Sequence, residues 1–260
     1  MEIIKNEQDG VAEIRGLIKE FLNGGEGSPK VREYLSSVID DDSLLLIYLK
    51  GRKCRVKHAW ETLKRKAEVR FNEYPEVFPE TPPESCYQLQ KKGGTGVLKE
   101  RDEFGRRVIC FNTVDWDPDE MSIQQLTTTL TFFMDKILMD EDAITNGILM
   151  VQNCDQVGWK HAKEYTLPVM LRFLNIFWYA YPFKFEGLYY FNCPSYVRYI
   201  FNMMKPFLPK KIKERLIIST KDKKFDLLHT KLSPKILPKF LGGDLGNHDA
   251  LEFEFLPPMK

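Results

Sequence analysis

The segment around residues 188–215 restricts the fold of this chain more than any other. Leu188-Tyr189-Tyr190-Phe191 is an apolar run of strand length, closed by Asn192 and Pro194. A run this short, bounded by turn residues, reads as a buried strand. Residues 195–204 follow at helical spacing, with Ser195 placed to cap the helix and Pro206 to stop it. This helix carries Val197, Ile200, Phe201, Met203 and Met204, and Phe207 and Leu208 come just after it. Those groups fall on more than one face, whereas a surface helix needs a single apolar stripe. Such a helix is either surrounded by core, or it covers something apolar with one face and meets an apolar exterior with the other. Lys210, Lys211, Lys213 and Arg215 come next. Most charge runs are solvated faces, but a basic run beside aromatics is also the composition of an interfacial membrane contact.

The rest of the chain divides into two parts. In the first, Val11, Ile14, Leu17, Ile18, Phe21 and Leu22 recur at three- and four-residue spacings, which predicts an amphipathic helix ended by Gly24-Gly25. Shorter helices are expected over residues 31–38 and 44–50, the latter capped from the Asp40-Asp41-Asp42-Ser43 run. A longer one carries Ala59, Leu63 and Val69 and ends before Tyr74-Pro75. The proline-rich stretch 75–83 reads as a linker, which sets the expected domains at 1–83 and 84–260. In the second part, strands and helices alternate. Val97-Leu98 and residues 108–111 flank Asp102-Glu103-Phe104-Gly105 as a hairpin. A helix is expected over 122–138, a strand over 148–151, a helix from Pro168 to about Ala180, and a last strand over 216–218. This alternation favours an α/β layer with a largely parallel sheet.

Composition narrows the function. Of 260 residues, 43% are apolar and 29% charged, with a formal net charge of +1. A core can be built, and the neutral whole argues against wholesale nucleic-acid binding. The run Lys50, Arg52, Lys53, Arg55, Lys57 lacks the interleaved aromatics that stack bases. The five cysteines contain no CxxC unit and read as free thiols in a reducing compartment. The first residues, MEIIKNE, do not read as a signal peptide, and no apolar run is long enough to span a bilayer. His58, His161, His229 and His248 are scattered, no G-x-S-x-G elbow occurs, and Gly93-Gly94-Thr95-Gly96 lacks the lysine of a phosphate loop. The expectation is therefore a cytoplasmic, monomeric, non-enzymatic protein with no cofactor and no metal, peripheral at membranes if it meets them.

Several stretches, taken in order, resemble the CRAL-TRIO (Sec14-like) lipid-binding family, in the branch that holds tocopherol transfer and retinaldehyde-binding proteins. They are the leucine-rich turn and basic segment leading to Ala59-Trp60; the hairpin KGGTGVLKERDEFGRRV; Trp116-Asp117-Pro118; Asp155-Gln156-Val157-Gly158; the strand–helix–basic unit; and the closing Leu237-Pro238-Lys239-Phe240-Leu241-Gly242-Gly243. The sequence departs from that pattern at Val157, where an acidic residue is usual, and in the longer interval from Gly147 to Asp155.

The resemblance implies a helical N-terminal subdomain followed by an α/β domain with a mobile lid helix at 195–204. It implies a cytosolic carrier that binds one tocopherol, retinoid, carotenoid or similar lipid and releases it at phosphoinositide membranes. The alternative is a module that uses the same fold to recruit a partner to membranes without transfer. Ligand-binding candidates are Phe133, Ile137, Phe173, Phe177, Val197, Ile200, Phe201 and Met204, with Thr127, Thr129, Thr131 and Asn112 as polar contacts. Arg52, Lys184, Lys211 and Arg215 match phosphoinositide-binding positions, and Glu186 stands where a further basic residue is expected. Phe201, Phe207 and Leu208 are the expected membrane contacts.

Overall fold

A computed structural model of the chain describes residues 7–220, 224–252 and 255–258. The reading of the N-terminus as free of a signal peptide falls partly on residues 1–6, outside the described residues. Four helices open the chain: α1 (Glu7–Asn23), α2 (Pro29–Val38), α3 (Asp42–Gly51) and α4 (Val56–Glu68). The side chain of Asp41 accepts the amide of Leu44 at 3.0 Å and starts α3, as a carboxylate at a helix N-terminus should. A π-helical turn over Val69–Glu73 continues α4 to Tyr74. α1 turns Ile14 and Ile18 inward against Leu45, Leu49 and Leu63.

The stretch expected to be a linker is packed rather than free. Val77 is fully buried, Phe78 nearly so, and the Val77 carbonyl accepts the Thr131 hydroxyl at 2.9 Å. Proline spacing reports a break in regular structure, not detachment from the core. One continuous apolar cluster runs from Ile14 and Leu35 through Val77 to Phe133 and Phe185.

After the short helix α5 (Glu84–Lys91) come β1 (Thr95–Leu98) and β2 (Arg107–Asn112), antiparallel as the hairpin predicts. Next come α6 (Ile123–Ile137), α7 (Glu141–Asn146), β3 (Ile148–Asn153), α8 (Trp159–Ala162) and α9 (Leu167–Phe173). A π-helical segment, Leu174–Tyr179, extends α9. β4 (Phe185–Phe191), α10 (Ser195–Met204), α11 (Lys210–Arg215), β5 (Leu216–Ile218) and the edge strand β6 (Leu251–Glu252) complete the domain. The sheet order is β5-β4-β3-β2-β1-β6; β2 to β5 run parallel, while β1 is antiparallel to both β2 and β6. Sequence periodicity did not reveal α5, α7, α8 or β6, all too short for a repeating pattern. Ser195 is the first residue of α10 and Pro194 its N-cap, with no side-chain capping bond.

The strand alternation sorts the two faces of the sheet. Val108, Cys110, Leu149, Val151, Tyr189 and Phe191 pack behind it against Leu228, Leu232, Leu237 and Leu241. The other residues of the same strands, Ile109, Phe111, Met150 and Leu188 among them, face the helices. Among the described residues no helix is long and apolar enough to cross a membrane, and all five cysteines are free.

The N-terminal helices are joined to the α/β layer by a charged network. Lys66 of α4 is buried, with its ammonium 2.6 Å from one oxygen of Asp135 on α6; Arg70 lies 3.2 Å from the other oxygen. The Tyr181 hydroxyl donates to Asp135 at 2.5 Å, and the Lys66 ammonium lies 3.7 Å from the centroid of the Tyr181 ring. Burial pushes the Asp135 carboxyl up, but Lys66, Tyr181 and Arg70 together hold it below its ordinary value of 3.8. A carboxyl lowered in the fold stabilises the protein above its unfolded value, and the gain is lost as pH falls through the folded one. Asp135→Asn should therefore cost about 3 kcal/mol. That is the low end for breaking a buried pair, because Asp135 keeps about a third of its side chain accessible. Lys66→Met, which leaves Asp135 with Arg70 and Tyr181, should cost less. Urea unfolding midpoints measure both, and the gap between wild type and Asp135→Asn should narrow as pH drops below 3.8.

Candidate functional site

Two depressions lie on either side of a thin wall. The first is an apolar cavity of about 170 Å³ beneath α10. Its floor is the helix-facing side of the sheet: Ile109 and Phe111 from β2, Met150 and Gln152 from β3, Leu188 and Tyr190 from β4. Leu126 and Leu130 of α6 form one wall, and Phe173, Phe177 and Trp178 form another. The roof is α10 with the segment after it: Val197, Ile200, Phe201, Leu208 and, from α11, Ile212. No lysine, arginine, histidine or carboxylate is among the lining residues.

The helical repeat explains the two-faced roof. Val197, Ile200 and Phe201 turn inward, while Tyr199, Met203 and Phe207 stand 71%, 68% and 52% exposed. Large apolar groups held in solvent on one short segment are unusual for a surface helix. At its start the roof is tied down by the Tyr196 hydroxyl, which donates to the carbonyl of Val157.

The structure brings together Phe173, Phe177, Val197, Ile200 and Phe201 of the sequence-expected ligand contacts. Phe133, Ile137 and Met204 are buried but are not among the cavity-lining residues. Phe133 and Ile137 do share a face with Leu126 and Leu130, but they lie two and three turns along α6, where Phe133 meets Phe255 at 5.5 Å. Periodicity fixes a face, not how far along that face a cavity extends. The α6 threonines do not line the cavity either, because their hydroxyls are used locally. Thr127 donates to Ile123 at 2.6 Å, Thr129 to Gln125 at 3.2 Å, and Thr131 to Thr128 and Val77. The Asn112 amide bonds Asp115 and Asn153. The polar groups among the lining residues include Thr113, Gln152, Cys154, Tyr165 and Tyr190. Sequence reading missed Gln152 and Tyr190 because in an apolar strand a tyrosine or glutamine gives no sign of which face it occupies, and Thr113, Cys154 and Tyr165 because they lie in connections outside the strands.

The second depression is a basic groove of about 630 Å³. Arg52, Lys53 and Arg55 reach it from the turn between α3 and α4, and Arg65 from α4; Lys184, Lys211 and Arg215 reach it from the α/β layer. Glu61 is the single carboxylate in the lining. All four expected phosphoinositide positions are therefore neighbours here, although they come from distant parts of the chain. Lys211 and Arg215, four residues apart on α11, face the groove; Lys210 and Lys213 are not among its lining residues, and Lys210 pairs with Glu214 instead. Arg52 is held by Thr62 and by the Tyr181 carbonyl, each at 2.7 Å. Arg215 donates to the Phe185 carbonyl at 2.5 Å. Glu186 forms an ion pair with Lys184 and lies 3.5 Å from Arg215, so it offsets part of the charge that an anion would otherwise meet.

Trp178 and Phe185 line both depressions. Their rings are stacked 5.6 Å apart, 24° from parallel, and form the wall between apolar cavity and basic groove. Of the expected membrane contacts, Phe207 is exposed, whereas Phe201 and Leu208 face the cavity and Leu208 is buried. Among the described residues no group of three histidines, cysteines or carboxylates is arranged to hold a metal ion.

The family model for the CRAL/TRIO domain matches residues 91–243. The chain belongs to the CRAL/TRIO domain family. It is 28% identical to alpha-tocopherol transfer protein-like of Mus musculus over 84% of this chain and 62% of that protein. It is 26% identical to clavesin-2 of Homo sapiens over 80% of this chain and 64% of that one. The chain thus spans less than two thirds of the length of these CRAL/TRIO relatives. Among solved structures, the crystal structure of Sfh5 matches with a TM-score of 0.51 at 14% identity, covering 99% of this chain and 95% of that one; this likeness concerns the fold.

Gly51 sets the distance between the two halves of the groove. A Cβ placed there would lie 2.6 Å from the Pro182 carbonyl oxygen, so any side chain pushes α3, and Arg52 beside it, away from Lys184. Gly51→Ala should destabilise the protein by about 1–3 kcal/mol, the usual cost of overpacking, seen as a lowered thermal midpoint.

Proposed function

We propose that this chain is a lipid carrier that holds one hydrophobic small molecule beneath α10 and gives it up at phosphoinositide-containing membranes. Arg52, Lys184, Lys211 and Arg215 bind the headgroup phosphates in this reading. The outer face of α10 and Phe207 meet the bilayer, and Phe201 and Leu208 follow when the lid opens. The observation that carries it is the juxtaposition of an apolar cavity with a basic groove across a single aromatic wall. That one relative is an alpha-tocopherol transfer protein-like protein supports the same class of ligand. Residues 1–83 and 84–260 act together in this scheme, because Arg52 comes from the first part and the other three cations from the second.

The cavity volume bears on how the ligand enters. About 170 Å³ is less than the roughly 300–1,000 Å³ of a typical small-molecule site. A molecule of tocopherol size requires α10 to shift outward, which exposes apolar surface and is favoured at a bilayer rather than in water. The small volume also favours a second reading, a membrane-recruitment module that carries no ligand. Mass spectrometry of a solvent extract separates them: one apolar molecule per chain supports the carrier, and an empty core supports the module.

Phe173→Asp or Ile200→Asp should abolish uptake of a fluorescent tocopherol or retinoid, since each buries an unpaired carboxylate. Unchanged uptake by folded variants would put the ligand elsewhere.

Lys184→Ala with Lys211→Ala should weaken binding to phosphoinositide vesicles about thirtyfold, from about 1 kcal/mol for each lysine near an anionic surface. Raised salt should reproduce the loss, because exposed charges are screened over ~8 Å at physiological ionic strength. Glu186→Gln should strengthen vesicle binding by releasing Lys184 and Arg215. Wild-type transfer rates from the double variant to anionic vesicles at low salt would reduce the groove to a solvated surface.

A further inference from the structure

The cavity under α10 has one polar end, and one group there is left over. Thr113, Gln152, Cys154, Tyr165 and Tyr190 bring the polar atoms to the carboxyl ends of β2, β3 and β4. Most of these groups satisfy one another. The Gln152 amide donates to the Thr113 hydroxyl at 2.8 Å and is in hydrogen-bond contact with Tyr165, while the Cys154 thiol is in contact with Thr113 and Cys193. The Tyr190 hydroxyl has no hydrogen-bond partner among the described residues. Its ring is held 4.9 Å from that of Phe201, on the inner face of the roof. Tyr190 keeps accessible surface although it sits on a central strand, and it lines the cavity. Burial, with the Cys154 and Cys193 thiols nearby, pushes its phenol up from the ordinary 10, so it is protonated and available as a donor.

The rest of the lining limits what that donor can meet. The cavity has no cationic side chain, so a fatty carboxylate would enter as a buried unpaired charge, a costly state. A plain hydrocarbon would enter readily but would leave the phenol unsatisfied, and a buried donor without a partner carries a penalty. A neutral molecule with an oxygen at one end meets both conditions.

We propose that Tyr190 is the specificity-determining contact of the cavity, donating a hydrogen bond to the terminal oxygen of a neutral lipid alcohol or aldehyde. This rests on the carrier reading above. Because Phe201 packs on the Tyr190 ring, closure of α10 also orients the phenol that reads the ligand.

The test uses one pyrene-labelled hydrocarbon chain ending in methyl, hydroxyl, aldehyde or carboxylate, titrated into the whole protein at neutral pH. The wild type should bind the hydroxyl and aldehyde probes roughly five- to tenfold more tightly than the methyl probe, the worth of one net hydrogen bond, and the carboxylate most weakly. Tyr190→Phe should remove that preference and leave methyl-probe affinity unchanged, whereas Phe201→Leu should weaken all four probes together. A wild type that binds methyl and hydroxyl probes equally, or prefers the carboxylate, would overturn the inference while leaving the carrier intact. So would a Tyr190→Phe variant that keeps the wild-type ranking. Failure of every probe to bind the wild type would overturn both.

Discussion

The Asp135 carboxylate is the point on which the arrangement of this protein turns. It gathers Lys66 and Arg70 from the N-terminal helices and the Tyr181 hydroxyl from the segment leading into β4. Tyr181 passes that placement on, since its carbonyl accepts Arg52 at 2.7 Å. The α3–α4 turn is thereby fixed against Lys184 and the strand after it, which carries Glu186. Without this network two groups of elements could pack by apolar contact alone, but the two halves of the basic groove would have no reason to keep register. Hydrophobic burial is non-directional; the charged network supplies the direction.

What the sequence disclosed follows from which physical signals are periodic. The alternation of strands and helices, the hairpin and the parallel sheet were legible because each spans several repeats of its own period. The inward set on α10 was partly legible for the same reason: Val197, Ile200 and Phe201 lie one helical turn apart. The extent of the cavity along α6 was not, because Phe133 and Ile137 continue the stripe of Leu126 and Leu130 past the point where space ends. Tyr190 and Gln152 were hidden because a strand of nearly uniform apolarity does not announce its faces; only pairing to its neighbours sets them. The four basic residues of the groove were found through family resemblance, since no local pattern links Arg52 to Arg215. Their additional neighbours Lys53, Arg55 and Arg65 became visible only when the α3–α4 turn was seen to face α11.

The electrostatics of the groove are graded. Glu186 sits between Lys184 and Arg215, and a carboxylate in that position lowers the attraction for an anion without abolishing it. The groove keeps cations from the α3–α4 turn, α4, the segment before β4 and α11, so its field does not depend on one side chain. The apolar cavity shows the opposite economy: with no charge in its lining, its polarity rests on a few neutral side chains, Thr113, Gln152, Cys154, Tyr165 and Tyr190 among them.

Trp178 and Phe185 give the wall between these two environments a thickness of one pair of rings. Each is at once a hydrophobic surface on one side and the edge of a charged cleft on the other. A substitution at either position reshapes both depressions at once, so the shape of the apolar cavity and the outline of the basic groove cannot change independently there. A larger or smaller ring that alters the cavity redraws the groove as well. The two environments are therefore linked by geometry at this pair, while their other lining residues are separate.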